Sequence, residues 1–279
     1  MEQLRIPTIT LNTGYALPLI GLGTWPLSDA EAAEAVPAAL AQGYRLVDTA
    51  ARYGNEVGVG RGIAAAGIPR ADLFVTTKLR GRDHGYAATK DAMRRSLDAL
   101  GLDYVDLFLI HWPLPRVDKY VDSYRAILDL VGEGLVRSAG VSNFKRHHLQ
   151  RLIDETGVTP AVDQIQLSPA LPRPDIRAYL VAHGIATQAW SPLGRPEGVP
   201  DAPLVVALAA KYGRTPAQII LRWHVQQGIS AIPKSADPQR QRENAEIFDF
   251  ALEVDEVAAL AALDVGEAAA RDADTHEIF

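Results

Sequence analysis

The sequence predicts a (β/α)8 TIM barrel, an α/β fold, preceded by an N-terminal β-hairpin. Three observations carry that expectation. Short apolar runs alternate with longer segments of helical period along the whole chain. About eight such pairs occur, with gaps that suit a strand, a crossover helix and the next strand, and a closed parallel barrel is their natural arrangement. A doubly wound open sheet would use the same units, but no strand is followed by a Gly-x-Gly-x-x-Gly turn. The chain has 279 residues, 48% hydrophobic and 22% charged, ordinary globular composition with enough apolar residues for a sizeable core. Barrels of about 250 residues count as one domain, so residues 1–279 read as a single domain.

Taken in order, "IPTITLNTGYALPLI" alternates around the turn signal "NTG" and reads as a hairpin able to plug the barrel bottom. The candidate strands are "LIGLGTW" (19–25), "YRLVDT" (44–49), "LFVTTKL" (73–79), "VDLFLIHW" (105–112), "LVRSAGVSNF" (135–144), "AVDQIQL" (161–167), "IATQAW" (185–190) and "ISAIPKS" (229–235). Segments such as "YAATKDAMRRSLDAL" and "KRHHLQRLIDETG" have helical period between them. "SDAE" at 28–31 has capping-box spacing, with Ser28 as N-cap and Glu31 reaching back. In "GRTPAQIILRW", Thr215 caps a helix that carries Pro216 in its first turn. Pro37 conflicts with an unbroken helix over "AEAAEAVPAALAQ", so a kink or a late start is expected there. "GVGRG" at 58–62 lies outside a strand-to-helix turn and is not read as a phosphate loop.

Several function classes are excluded. No run of about 18 apolar residues offers a membrane span. "MEQLRIPTITL" lacks the pattern of a signal peptide. With no cysteine there are neither disulfides nor thiolate metal sites, and the cytoplasm is the expected compartment. A formal charge of −6 argues against a nucleic-acid partner, while leaving room for a local cationic pocket. There is no His-Glu-x-x-His, and "RHHLQ" at 146–150 reads as a solvated helix face, so no metal is expected.

Chemistry in such barrels belongs to the C-terminal mouth, just past each strand. Those positions hold Trp25, Asp48, Lys78, His111, Ser142, Asn143, Gln164, Trp190, Ser191, Lys234 and Ser235. Each has a plainer reading: Lys78 as a snorkelling strand end, His111 as a hydrogen-bonded core histidine, Asp48 as half of a structural ion pair, Tyr53 as a packing aromatic. An acid, a lysine and a histidine ending three different strands is hard to obtain from scattered turn formers, and together they suggest proton chemistry. A tyrosine hydroxyl has a pKa of roughly 10. A nearby ammonium stabilises tyrosinate and moves the hydroxyl toward useful acid strength. Asp48 would hold Lys78 charged, His111 would orient a carbonyl oxygen, and Tyr53 would protonate it. Trp190 offers a flat face for a ring; Ser142, Asn143 and Gln164 suit a carboxamide. Lys234, Ser235, Arg240 and Arg242 in "IPKSADPQRQREN" suit a phosphate, although a solvated basic face is as good a reading of that run alone. Together these describe a nicotinamide dinucleotide.

"LVDTAARYGNE", "FVTTKL", "LFLIHWP", "GVSNF", "WSPLG" and "IPKS…R…EN" resemble the signature segments of the aldo-keto reductases, in the family's order and over nearly the whole chain. Within the family the resemblance is to bacterial reductases of the 2,5-diketo-gluconate reductase type. It implies NADPH (NADP+) bound without a Rossmann motif, and a catalytic tetrad of Asp48, Tyr53, Lys78 and His111 with Tyr53 as general acid. By the same resemblance Ser142, Asn143 and Gln164 hold the carboxamide, and Trp190 stacks on the nicotinamide. Ser191 and Leu193 line the pyrophosphate. Lys234, Ser235 and Arg240 grip the 2′-phosphate, Glu243 and Asn244 lie near the adenine, and Trp25 and Trp112 wall the substrate pocket. The partner implied is a small aldehyde, ketone or keto-sugar, and the chain is expected to be a monomer.

The chain departs from the family pattern in places. "DQIQLSP" (163–169) stands where "NQIELHP" is common, which puts Asp163 and Ser168 in unfamiliar hydrogen bonding. Asp237 brings an anion close to the proposed phosphate grip. The segment after Trp112 is short and no long tail is expected after the last helix, so an open, permissive pocket is expected. Two alternatives remain at this point: an NADP(H)-binding regulatory or sensor protein on the same fold, and a Schiff-base lyase using Lys78. The second needs a neutral lysine, which Asp48 disfavours.

Overall fold

The computed structural model describes residues 4–194 and 197–278. Thr8–Thr10 (β1) and Ala16–Pro18 (β2) form an antiparallel hairpin. Eight parallel strands follow: Leu22–Gly23 (β3), Leu46–Asp48 (β4), Phe74–Leu79 (β5), Val105–Ile110 (β6), Val136–Ser142 (β7), Val162–Gln166 (β8), Ala186–Trp190 (β9) and Ser230–Ala231 (β10). They pair in sequence order, and parallel bridges Ile20 to Ala231 and Gly23 to Lys234 close the last onto the first. The fold is the expected (β/α)8 barrel. The first and last apolar runs contribute strands of only two residues, because "TW" and "IPKS" leave the ladder to build the mouth.

The hairpin closes the bottom. Leu11 and Leu17 are buried with Leu46, Phe74, Leu107 and Val162; burial of each leucine contributes about 1.5–3 kcal/mol. Asn12 Nδ2 donates to Pro160 O (3.1 Å), and the Thr13 and Ser138 hydroxyls share a 2.8 Å hydrogen bond.

The helix layer begins with Asp29–Ala41 (α1), Glu56–Ala66 (α2) and Tyr86–Leu100 (α3). The Ser28/Glu31 capping box forms as expected, as does the Thr215 cap of the helix Pro216–Gln226. Pro37 does not delay α1, which begins at Asp29 and runs through it as one helix. Its ring is accommodated at a glycine: a Cβ on Gly62 would lie 3.0 Å from Pro37 Cδ. "GVGRG" therefore has a packing role. A Cβ on Gly58 would stand 1.9 Å from Asp29 O, and one on Gly60 2.2 Å from Leu100 O, so only glycine lets α2 approach both neighbours this closely.

Two further expectations are corrected on the next layer. In the helix Arg146–Thr156, Arg146 and His147 are exposed, but His148 is buried between the rings of Tyr120 and Phe144. "RHHLQ" is thus only partly a solvated face. The pocket is also less open than expected. After Val254–Ala261, the last helix, the chain returns across the barrel mouth. Arg271 N donates to Gln166 Oε1 (3.2 Å), Lys145 binds Asp272 and Asp274, and Arg116 pairs with Glu277 (3.2 Å). His276 packs on Trp112 with ring centroids 4.4 Å apart. A Cβ on Gly81 would meet Ile278 O at 2.2 Å, so a glycine receives the end of this tail. Its polar sequence, "RDADTHEI", lacks helical or strand period and gave no sign that it would dock.

Candidate active site

Asp48 ends β4 and pairs with Thr76 of β5; Lys78, two residues farther along β5, points to the same face. Both side chains are fully buried, which would be prohibitive for either charge alone. They satisfy each other. Lys78 Nζ donates to Asp48 Oδ1 (2.5 Å), Thr49 O (3.0 Å) and the Tyr53 hydroxyl oxygen (3.3 Å), which uses all three ammonium hydrogens. Asp48 Oδ2 accepts from Gln164 Nε2 (2.7 Å). Tyr53 ends a short 3-10 turn, Ala51–Tyr53, that follows β4, and Gly54 in the left-handed region turns the chain into α2. The Tyr53 oxygen accepts from Lys78, so its own hydrogen is left to donate into the pocket.

Charge balance in this cluster is set by burial and pairing. Burial pushes the Lys78 pKa down, but Asp48 and Tyr53 raise it more, and the net direction is up: Lys78 is an ammonium. Tyr53 is raised above its ordinary value, first by burial and then by Asp48, while Lys78 opposes both. The expectation that Lys78 acidifies Tyr53 holds for that one influence, but burial outweighs it. His111 is held well below its ordinary value by burial, then by Lys78 and Arg52, and is a neutral imidazole. Its ring meets Tyr53 edge-on at 5.7 Å, and its buried Nδ1 has no partner among the described residues.

These side chains face a cavity of about 330 Å³ whose walls include Trp25, Asp48, Tyr53, His111, Trp112, Ser142, Asn143, Gln164, Trp190, Ser191 and Lys234. Trp25 packs over Tyr53 with centroids 5.2 Å apart. A second hollow of about 760 Å³ shares Trp25, Ser191 and Lys234 and adds Leu193, Ser235, Arg240, Glu243 and Asn244. Every site residue expected from sequence lines one hollow or the other, except Lys78, which lies buried behind Tyr53 and Asp48, and Arg242, which lines neither and pairs with Glu246 (2.7 Å).

The family model for the aldo/keto reductase family matches residues 19–265. The chain belongs to the aldo/keto reductase family. It is 51% identical over 273 residues, 98% of this chain and 99% of the relative, to 2,5-diketo-D-gluconic acid reductase B of a Corynebacterium species. Among solved structures, an aldo/keto reductase from Brucella melitensis superposes with a TM-score of 0.90 at 48% identity, covering 93% of this chain and all of that one. A Bombyx mori aldo-keto reductase in complex with NADP superposes with a TM-score of 0.87 at 37% identity, covering 94% of each chain.

The polar groups beside the tetrad positions of this family member are tightly committed. Gln164 Nε2 also donates to Gln188 Oε1 (2.7 Å), so only its Oε1 remains for another group. Gln188 continues through Ser230 to Pro18 O, a buried polar chain that crosses the barrel. Asn143, in the left-handed region at φ 63°, gives Nδ2 to His111 O and Ser142 Oγ and takes the Trp190 indole N–H on Oδ1 (2.8 Å). That last bond fixes the plane of the Trp190 ring. Asp237 lines the second hollow beside Lys234 and Arg240. It caps Pro238–Ala245, accepting from Gln239 N and Arg240 N.

Sequence reasoning missed Arg52, Gln188, Arg271 and Ile278. Arg52 immediately precedes Tyr53 and was within reach of inspection. Gln188 reads as one polar residue in an apolar strand. Arg271 and Ile278 belong to the tail, and nothing in their spacing announces the mouth.

Proposed function

We propose that this single-domain chain is an NADPH-dependent carbonyl reductase of small aldehydes, ketones or keto-sugars, monomeric and cytoplasmic. The observation that carries the reading is the Lys78 ammonium bridging Asp48 and Tyr53 beside a neutral His111 at the wall of a cavity. Bound NADP in the Bombyx mori relative supports the cofactor. The residues fit such a group: a flat ring at Trp190, the free Oε1 of Gln164, and a cationic second hollow at Lys234 and Arg240. When bound, NADPH supplies the hydride.

Tyr53 gives its proton to the substrate oxygen as charge develops there. Lys78 stabilises the tyrosinate left behind, and Asp48 keeps that lysine charged and in place. His111, neutral, donates one hydrogen bond that directs the oxygen toward Tyr53. Ser191 and Leu193 line the pyrophosphate path, Lys234, Ser235 and Arg240 grip the 2′-phosphate, and Glu243 and Asn244 flank the adenine. Trp25 and Trp112 wall the substrate. No described helix is long and apolar enough to cross a membrane.

Tyr53→Phe tests the assignment. It should lower turnover by about 10²–10⁴-fold, the usual worth of a general acid, while NADPH binding followed by fluorescence stays near wild type. Full activity in this variant sinks the reading.

A further inference from the structure

We infer that Gln188, which lines neither hollow, is a positioning residue for the cofactor: it turns the amide of Gln164 so that Gln164 Oε1 faces the nicotinamide carboxamide. The inference rests on the reductase reading above and extends it to a residue that touches neither cofactor nor substrate.

The first support is an unusual set of buried groups. Gln164, Gln188 and Ser230 are register neighbours on β8, β9 and β10, and all three are buried. Branched apolar side chains commonly fill a barrel interior, and a buried amide is tolerated only where its hydrogen bonds are made. Here they are made, and each bond fixes the direction of the next. Pro18 O can only accept, so the Ser230 hydroxyl places its one hydrogen there (2.8 Å). Ser230 Oγ is then an acceptor toward Gln188, and it takes Gln188 Nε2 (3.1 Å). Gln188 therefore shows its Oε1 to Gln164, whose Nε2 donates to it (2.7 Å).

The second support is the state in which this leaves Gln164. Its Nε2 gives its other hydrogen to Asp48 Oδ2 (2.7 Å). The bond to Asp48 alone sets which end of the amide faces inward but lets the amide plane swing. The second bond, to Gln188, fixes that plane and with it the direction of Oε1. Gln164 lines the cavity, whereas Gln188 does not. The cavity thus meets an acceptor of fixed direction, which selects the NH2 of a carboxamide over a carbonyl oxygen. The series of bonds begins at Pro18 in the hairpin, so the segment that closes the barrel bottom also sets the polarity of a group at the cavity wall.

The test measures binding to the full chain, by fluorescence, of NADPH and of its reduced 3-acetylpyridine analogue, in which a methyl replaces the carboxamide NH2. Wild type should favour NADPH by about ten- to a hundredfold, because the methyl leaves Gln164 Oε1 covered and without a donor. Gln188→Leu, which cannot accept from Gln164, should bring that preference to about threefold or less, with the loss falling on NADPH. Ser230→Ala, a smaller change that frees the Gln188 amide to turn over, should move the preference the same way. A change in packing alone would weaken both cofactors equally and leave the preference where it was. An unchanged preference in Gln188→Leu overturns the inference; should that variant fail to fold, an unchanged preference in Ser230→Ala does the same. Equal binding of the two cofactors by wild type also overturns it, and leaves the assignment of Tyr53 untouched. Wild type that binds neither cofactor removes the reductase reading as well.

Discussion

The fully buried Lys78 ammonium stands 3.3 Å from the hydroxyl oxygen of Tyr53, whose side chain is half-buried at the cavity wall. This is the longest of three contacts that use up the lysine's hydrogens, and the 2.5 Å contact to Asp48 is the shortest. The geometry has an asymmetric consequence. Asp48 and Lys78 would hold each other in place without the tyrosine, whereas the tyrosine without Lys78 would be left with burial and a nearby carboxylate. Both of those influences make its proton harder to release.

Lys78→Met should therefore lower reductive turnover by about 10²–10⁴-fold. It should also destabilise the fold, because the buried Asp48 carboxylate loses its ion partner; breaking such a pair costs about 3–5 kcal/mol. The double variant Lys78→Met/Asp48→Asn separates the two effects. Thermal stability should return in it while turnover stays low, measured by calorimetry and by NADPH absorbance. Recovery of activity along with stability would mean that the lysine acts only as a structural ion.

His111 should show itself by a missing feature. A histidine titrating near its ordinary value would bend the pH profile of kcat/KM around pH 6.5. Burial, Lys78 and Arg52 all push this imidazole lower, so protonation is delayed to more acidic pH. Between about pH 6 and 7.5 the profile should have no limb that belongs to it. The comparison with His111→Gln decides: a wild-type inflection near 6.5 that disappears in the variant would show that the working form is the imidazolium.

How far the sequence could be read follows from which interactions are local. Asp48, Lys78 and His111 were legible because each ends an apolar run, and a barrel has one place for strand ends. The eight βα units were legible from period alone. The glycines of "GVGRG" were not, because their meaning lies in how closely Asp29 O and Leu100 O approach α2, a tertiary fact. His148 was misjudged because its burial depends on Tyr120, which comes from a different helix, and on Phe144. The tail was missed for the same reason: Lys145, Arg116 and Trp112 hold it through contacts more than a hundred residues away in the chain, which no local pattern encodes.

Arg240 bears on cofactor choice. It lines the second hollow with Lys234 and Ser235, and Asp237 at the same wall gives its Oδ1 to the backbone N–H groups of Gln239 and Arg240. Arg240→Ala should weaken NADPH binding by about tenfold or more, the worth of a charge-assisted hydrogen bond, and change NADH binding little. Titrations with both cofactors measure this. Equal losses for the two would take the 2′-phosphate away from Arg240.

Asp163 gives a prediction about stability. It follows Val162 on β8 and faces away from Gln164, fully buried; its Oδ1 accepts a long hydrogen bond from Phe144 N (3.4 Å) and its Oδ2 has no partner among the described residues. Burial pushes its carboxyl up to about 8, with Phe144 N–H and Arg173 opposing. Its proton is thus held more tightly in the folded chain than in the unfolded one, where the value is near 3.8. Between those limits the folded state binds the extra proton, so stability falls as pH rises through the window and levels off above it. Asp163→Asn keeps an acceptor for Phe144 N–H and removes the titration. The variant should match wild type near pH 4 and gain steadily toward pH 8, reaching on the order of a few kcal/mol. Melting temperatures across that range measure it, and a gain that is constant with pH would show that the carboxyl does not titrate in this window.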